Sequence, residues 1–102
     1  MSKYKLRLTE KAEKEYIKAF VYYEDKQPDL GFRFEQELEE LLIIIDKTPL
    51  LFAKKYKNFH EPLLKHLPFL IVFEVIDHDI IVQSIYHAKQ NPKKKYKKRS
   101  KK

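Results

Sequence analysis

Among the ionisable side chains, His87 has the type and the place that suggest chemistry. An imidazole with an unperturbed pKa of ~6.5 can take up or release a proton near neutrality, so a histidine at the end of an apolar segment can serve as general acid or base. Lys54, Lys55, Lys57, Lys65 and Lys89 are the cations that could hold a phosphate or another anionic target. Each also has a structural reading. His87 can simply end a strand and hydrogen-bond the following turn, and lysines on a sheet edge discourage pairing between molecules. His60, His66 and His78 lack the spacing of a metal cluster. Cysteine is absent, which excludes a Cys-ligated zinc site and a disulfide scaffold. No metal or cofactor is expected.

The elements that would carry these residues can be traced by period. Tyr4, Leu6 and Leu8 alternate with Lys3, Lys5 and Arg7, the pattern of a strand with one buried face. Thr9 can cap a helix, with Glu10 and Glu13 in its first turn, and Ala12, Tyr16, Ala19, Phe20 and Tyr23 form its apolar stripe up to Pro28. Asp29 can start a second helix with the stripe Phe34, Leu38, Leu41, Leu42 and Ile45, stopped by Thr48 and Pro49. Ile43 and Ile44 lie off that stripe and need cover from elsewhere. Beyond Pro49 the pattern turns to strands at Phe52 to Lys57, at Phe59 to His66 with Pro62 marking an edge or bulge, and at Phe69 to Ile76. The last of these is apolar on both faces and therefore central. Asp77, His78 and Asp79 turn the chain into Ile80 to His87, its antiparallel partner. The expected class is α+β, a strand and two helices followed by three or four strands (β-α-α-β-β-β when three), a helical hairpin packed on a mainly antiparallel sheet.

The chain has 102 residues and a net charge of +7, unevenly spread. From Lys89 onward there are nine basic residues and no acidic ones, leaving 13 basic and 15 acidic residues in 1–88. The reading is one domain over 1–88 and a flexible basic tail over 89–102, suited to a polyanion or an acidic protein partner. The longest apolar runs, Leu41 to Ile45 among them, are far short of the ~20 residues that span a bilayer, and the first residues do not read as a signal peptide. A cytoplasmic protein without a membrane partner is expected.

With the elements in place, the chain resembles the RelE/ParE superfamily of toxins from bacterial type II toxin-antitoxin modules, the plasmid stabilization proteins. Leu8-Thr9-Glu10-Lys11-Ala12 with Tyr22 and Tyr23 resembles the family's first helix, and Phe34 through Leu41 to Pro49 its second. Leu67 to Val75 resembles the stretch that in many members reads Pro-Tyr-Arg-Ile before an apolar strand, and Tyr86 to Pro92 resembles the closing motif. Where the RNA-cleaving branch commonly places an Arg that contacts the phosphate, this chain has Leu70, which cannot replace a charged bidentate ligand.

The resemblance implies two toxic mechanisms. A RelE-like, ribosome-dependent mRNA endoribonuclease would need an acid or base such as His87 and lysines to neutralise the phosphorane. A ParE-like toxin would instead bind DNA gyrase and needs a surface but no general base. The missing Arg favours the second, and a degenerate toxin acting only as corepressor is the third alternative. The resemblance also implies a cognate antitoxin that neutralises the toxin and contacts operator DNA, so that the toxin reaches DNA only indirectly. Ile43 and Ile44, as an apolar surface beside positive charge, are the expected antitoxin contacts, with an acidic amphipathic segment as occupant.

Overall fold

The computed structural model describes residues 3–89. Strand β1 (Lys5–Leu8) leads through Thr9 into helix α1 (Glu10–Lys26) and, after a short turn, α2 (Leu30–Lys47). One 3-10 turn (Pro49–Leu51) delivers the chain to β2 (Lys54–Tyr56), β3 (Phe59–His60), β4 (Phe69–Ile76) and β5 (Asp79–His87). The strands form one sheet in the order β1-β5-β4-β3-β2, in which β1 runs parallel to β5 and the other pairs are antiparallel. The expected α+β order is present, and the strand that is apolar on both faces, β4, stands at the centre. Past Lys89, the basic tail lies outside the described residues.

Thr9 caps α1 as its type suggests: the backbone is extended and the hydroxyl accepts from the Ala12 N–H at 3.1 Å. The start of α2 differs from the expectation. Asp29 occupies the cap position with φ of 74° and makes no side-chain cap bond, because a left-handed residue lacks the extended geometry from which a cap reaches the first turn. Glu24 of α1 does the work instead. Its carboxylate accepts from the Asp29 N–H at 3.0 Å and from the Gly31 N–H at 2.9 Å. The helices cross so closely here that a Cβ on residue 31 would stand 2.6 Å from Glu24 Oε1 and 2.9 Å from the Phe20 carbonyl oxygen. One turn back from the crossing, the Tyr16 hydroxyl donates to Glu35 at 3.0 Å, tying the hairpin together.

Helices cover one face of the sheet. Ala12, Ala19 and Tyr23 of α1 and Phe34, Leu38 and Ile45 of α2 pack on Phe69, Ile71, Phe73, Ile80, Val82 and Ile85. A second, smaller cluster of Phe59, Leu70, Val72 and Tyr86 contains strand residues only. The division depends on a bulge. Val72 pairs with Ser84 and Phe73 with Val82, so Gln83 is an extra residue on β5. It shifts the alternation by one, and Ile85 rather than Ser84 joins Ile80 and Val82 against the helices.

Two strands are shorter than their patterns suggest. Phe52 lies outside β2, with its ring edge-on to Phe73 at 5.9 Å and its carbonyl bonded to His60 Nδ1 at 2.8 Å. β3 ends at His60. Pro62 has no N–H to continue a ladder, though its carbonyl accepts from the Ile71 N–H at 3.0 Å, and Leu63 makes only an isolated bridge to Leu70.

Candidate functional site

His87 is the last residue of β5, paired with Phe69 of β4. Its ring meets Phe69 edge-on at 5.0 Å, and Nδ1 accepts from the Lys89 N–H at 3.1 Å. With Nδ1 an acceptor, the neutral ring carries its proton on Nε2. The adjoining Ala88 N–H donates to the Pro68 carbonyl at 2.8 Å. His87 thus ends the strand and accepts from the turn that follows it.

The lysines divide into two groups. Lys54 and Lys55 lie on β2, an edge strand whose residues are all exposed, and Lys57 sits in the following turn at φ of 51° with its ammonium 5.3 Å from the Tyr56 ring centroid. The register separates them from His87. Lys54 pairs with His60, which pairs with Phe73, whereas His87 pairs with Phe69. Four residues along β4 and three strand spacings across the sheet put His87 and Lys54 roughly 20 Å apart. Lys65 and Lys89, both exposed, share the His87 end, since the Leu64 N–H bonds the Phe69 carbonyl beside that pair. Leu70 is buried against Phe59, Val72 and Tyr86, an apolar neighbourhood and not a phosphate-binding one.

A polar cluster that residue spacing did not flag joins α1 to β5. Where β1 ends, Thr9 takes over the edge of β5: its N–H donates to the Val82 carbonyl at 3.0 Å and its hydroxyl to the Gln83 carbonyl at 3.2 Å. Glu15 Oε1 then accepts from the Ser84 hydroxyl and from the Ile85 N–H, each at 2.9 Å. Lys11 Nζ lies 3.0 Å from both Glu15 Oε2 and Ser84 Oγ. A serine beside a lysine could be a nucleophile, but Ser84 is fully buried and its proton is directed at Glu15. The cluster satisfies an otherwise open strand edge. Beside it, Gln83 donates to Glu74 at 2.7 Å.

Ile43 and Ile44 are exposed at 56% and 50%. Ile43 lines a groove of about 330 Å³ with Leu6, Glu39, Leu42 and Asp46. A second groove of about 450 Å³ is formed by Lys3, Tyr4, Lys47, Thr48, Pro49, Leu50 and Leu51. Leu50 and Leu51 are both exposed, a pair of adjacent leucines on the 3-10 turn that was the available sequence signal for this surface. Burial raises the pKa of Tyr16, reinforced by its bond to the Glu35 carboxylate, and burial with the nearby charge of Glu61 raises that of Tyr86, so neither phenol is a base near neutrality. Among the described residues no group of three His, Asp or Glu could hold a metal ion, and no helix is long and apolar enough to cross a membrane.

The fold and these surfaces can be set beside known proteins. The family model described as the ParE toxin of type II toxin-antitoxin system, parDE, matches residues 6–92. A structure of the chromosomal ParDE TA system from P. aeruginosa superposes with a TM-score of 0.76 at 18% identity, covering 85% of this chain and 98% of that one. The isolated E. coli RelE toxin superposes with a TM-score of 0.65 at 21% identity, covering 96% of each chain. At these identities the likeness is one of fold. No curated protein matches the chain.

Proposed function

The chain belongs to the ParE toxin family of type II toxin-antitoxin systems, and from that premise we propose that it arrests growth by binding DNA gyrase in the cytoplasm rather than by cutting RNA. A toxin of a ParDE-type system implies a cognate antitoxin as partner. In this reading the antitoxin neutralises the toxin by covering Ile43 and Ile44, and carries the complex to operator DNA.

The observation that carries the choice of mechanism is the separation of His87 from the β2 lysines, roughly 20 Å by register. In-line cleavage needs acid, base and cations around one phosphate, and no lysine on β2 reaches a phosphate held at His87. The turn bond to Lys89 and the buried Leu70 point the same way. Lys65 and Lys89 near His87 support the RNA-cleaving alternative, because among the described residues they could pair a cation with the imidazole.

Purified protein assayed for gyrase supercoiling and, in parallel, for cleavage of ribosome-bound mRNA separates the readings. Supercoiling should be inhibited and mRNA left intact, and a folded His87→Gln protein should inhibit as well as the parent. Cleavage of mRNA that falls by ~10²–10⁴ in His87→Gln would instead establish the nuclease. Inertness in both assays, with repression retained in the presence of the antitoxin, would leave only the corepressor.

A further inference from the structure

We propose that the two grooves form one crease between β1 and α2, and that this crease selects an antitoxin segment with a fixed order of charge: acidic at one end, apolar in the middle, basic at the other. The proposal rests on the reading that an antitoxin is the partner, and it replaces a uniformly acidic occupant with a polarised one.

The grooves are continuous because their walls are. Leu6 of β1 lines the first and Tyr4, the residue just before that strand, lines the second. On the opposite wall, Glu39, Leu42 and Ile43 of α2 are followed by Lys47 and then Leu50. From Glu39 to Lys47 the helix advances roughly 12 Å, room for about four extended residues before the 3-10 turn. The floor is apolar and open, with Ile43 56%, Leu50 66% and Leu51 81% exposed. The rims differ in sign. Lys3 and Lys47 stand over the leucine end, whereas Glu39 and Asp46 stand over the Ile43 end. A segment laid in the reverse direction would set like charges together at both ends, so the rims select direction as well as composition. A second copy of this chain fits less well, since antiparallel apposition of two β1 edges brings the exposed Lys5 and Arg7 of each against the other.

The test uses the full chain and, as probe, the purified product of the reading frame adjacent to its gene. Glu39→Lys and Lys47→Glu should each weaken binding roughly three- to thirty-fold at low salt, mainly through slower association, with the loss shrinking at high salt. Glu40→Lys carries the same change of charge on an exposed site outside the crease and should bind like the parent. Ile43→Asp should weaken binding by roughly 30-fold or more, as expected for an apolar anchor. Binding by Glu39→Lys and Lys47→Glu that matches Glu40→Lys would overturn the charge order while leaving the antitoxin reading in place. Failure of the probe to bind the unmodified chain would remove the antitoxin reading and the occupant together. Self-association of the chain that Ile43→Asp abolishes would assign the crease to a second copy and overturn the proposal.

Discussion

Glu37 accepts from the His66 backbone N–H at 3.0 Å and from the ring Nδ1 at 2.8 Å, clamping the segment before β4 onto α2. Burial pushes the Glu37 carboxyl upward, but the backbone and ring bonds from His66, the charge of that ring and the Leu67 N–H outweigh it and hold the pKa below the ordinary carboxylate value. A group depressed on folding contributes stability that is fully present above its unfolded pKa and is lost as the pH falls through the folded one. Glu37→Gln should therefore lower stability by ~1–3 kcal/mol at pH 7, and the deficit should close as the pH drops below about 4. Urea unfolding midpoints at neutral pH and along an acid series measure this; a gap that stays constant through the acid range would show that the carboxylate charge plays no part. Glu37 and His66 are 29 residues apart, so neither residue alone announces the clamp.

At the scale of elements, the hairpin of α1 and α2 turns on Gly31. A methyl group there would collide with the Glu24 carboxylate that caps α2 and with the Phe20 carbonyl oxygen, which belongs to the backbone of α1 and cannot swing aside. Gly31→Ala should cost ~1–3 kcal/mol as the helices are forced apart, despite the better helix propensity of alanine, and a thermal melt should show it. An unchanged or raised Tm would mean that the crossing relaxes freely. The start of α2 shows why caps are hard to read locally: an Asp before a helix is a good sequence signal, yet the bond came from Glu24 on the preceding helix. The bulge at Gln83 is similar in kind. Nothing in Ile80 to His87 marks where the extra residue falls, because the choice is made by which of Ser84 and Ile85 the helices can bury.

At the scale of the whole molecule, the charge is held chiefly by the end of the chain. Residues 93–102 carry eight of the basic side chains and no acidic ones. Deleting them should weaken inhibition of DNA-bound gyrase, with a shallower dependence of affinity on salt, because fewer counterions are released on binding. Titration of inhibition at two ionic strengths measures it; equal potency and an equal salt slope in the truncated protein would exclude an electrostatic role. What the sequence by itself determined was whatever depends on short-range period and composition: the two helices and their buried stripes, the central strand from Phe69 to Ile76, the turn that follows Ile76 and the order of elements. Hydrophobic alternation and helix-stop residues act over a few positions, so one chain suffices to read them. Tertiary structure alone decided what depends on distant partners. Sheet register carried His87 away from Lys54, Lys55 and Lys57, although all four are plausible participants in one chemistry when read by type. It placed Glu39 and Lys47 on two different grooves and gave Ile43 its neighbour Leu6 from β1. Residue type states what a side chain can do, but the distance between two side chains is a property of the packed sheet and helices.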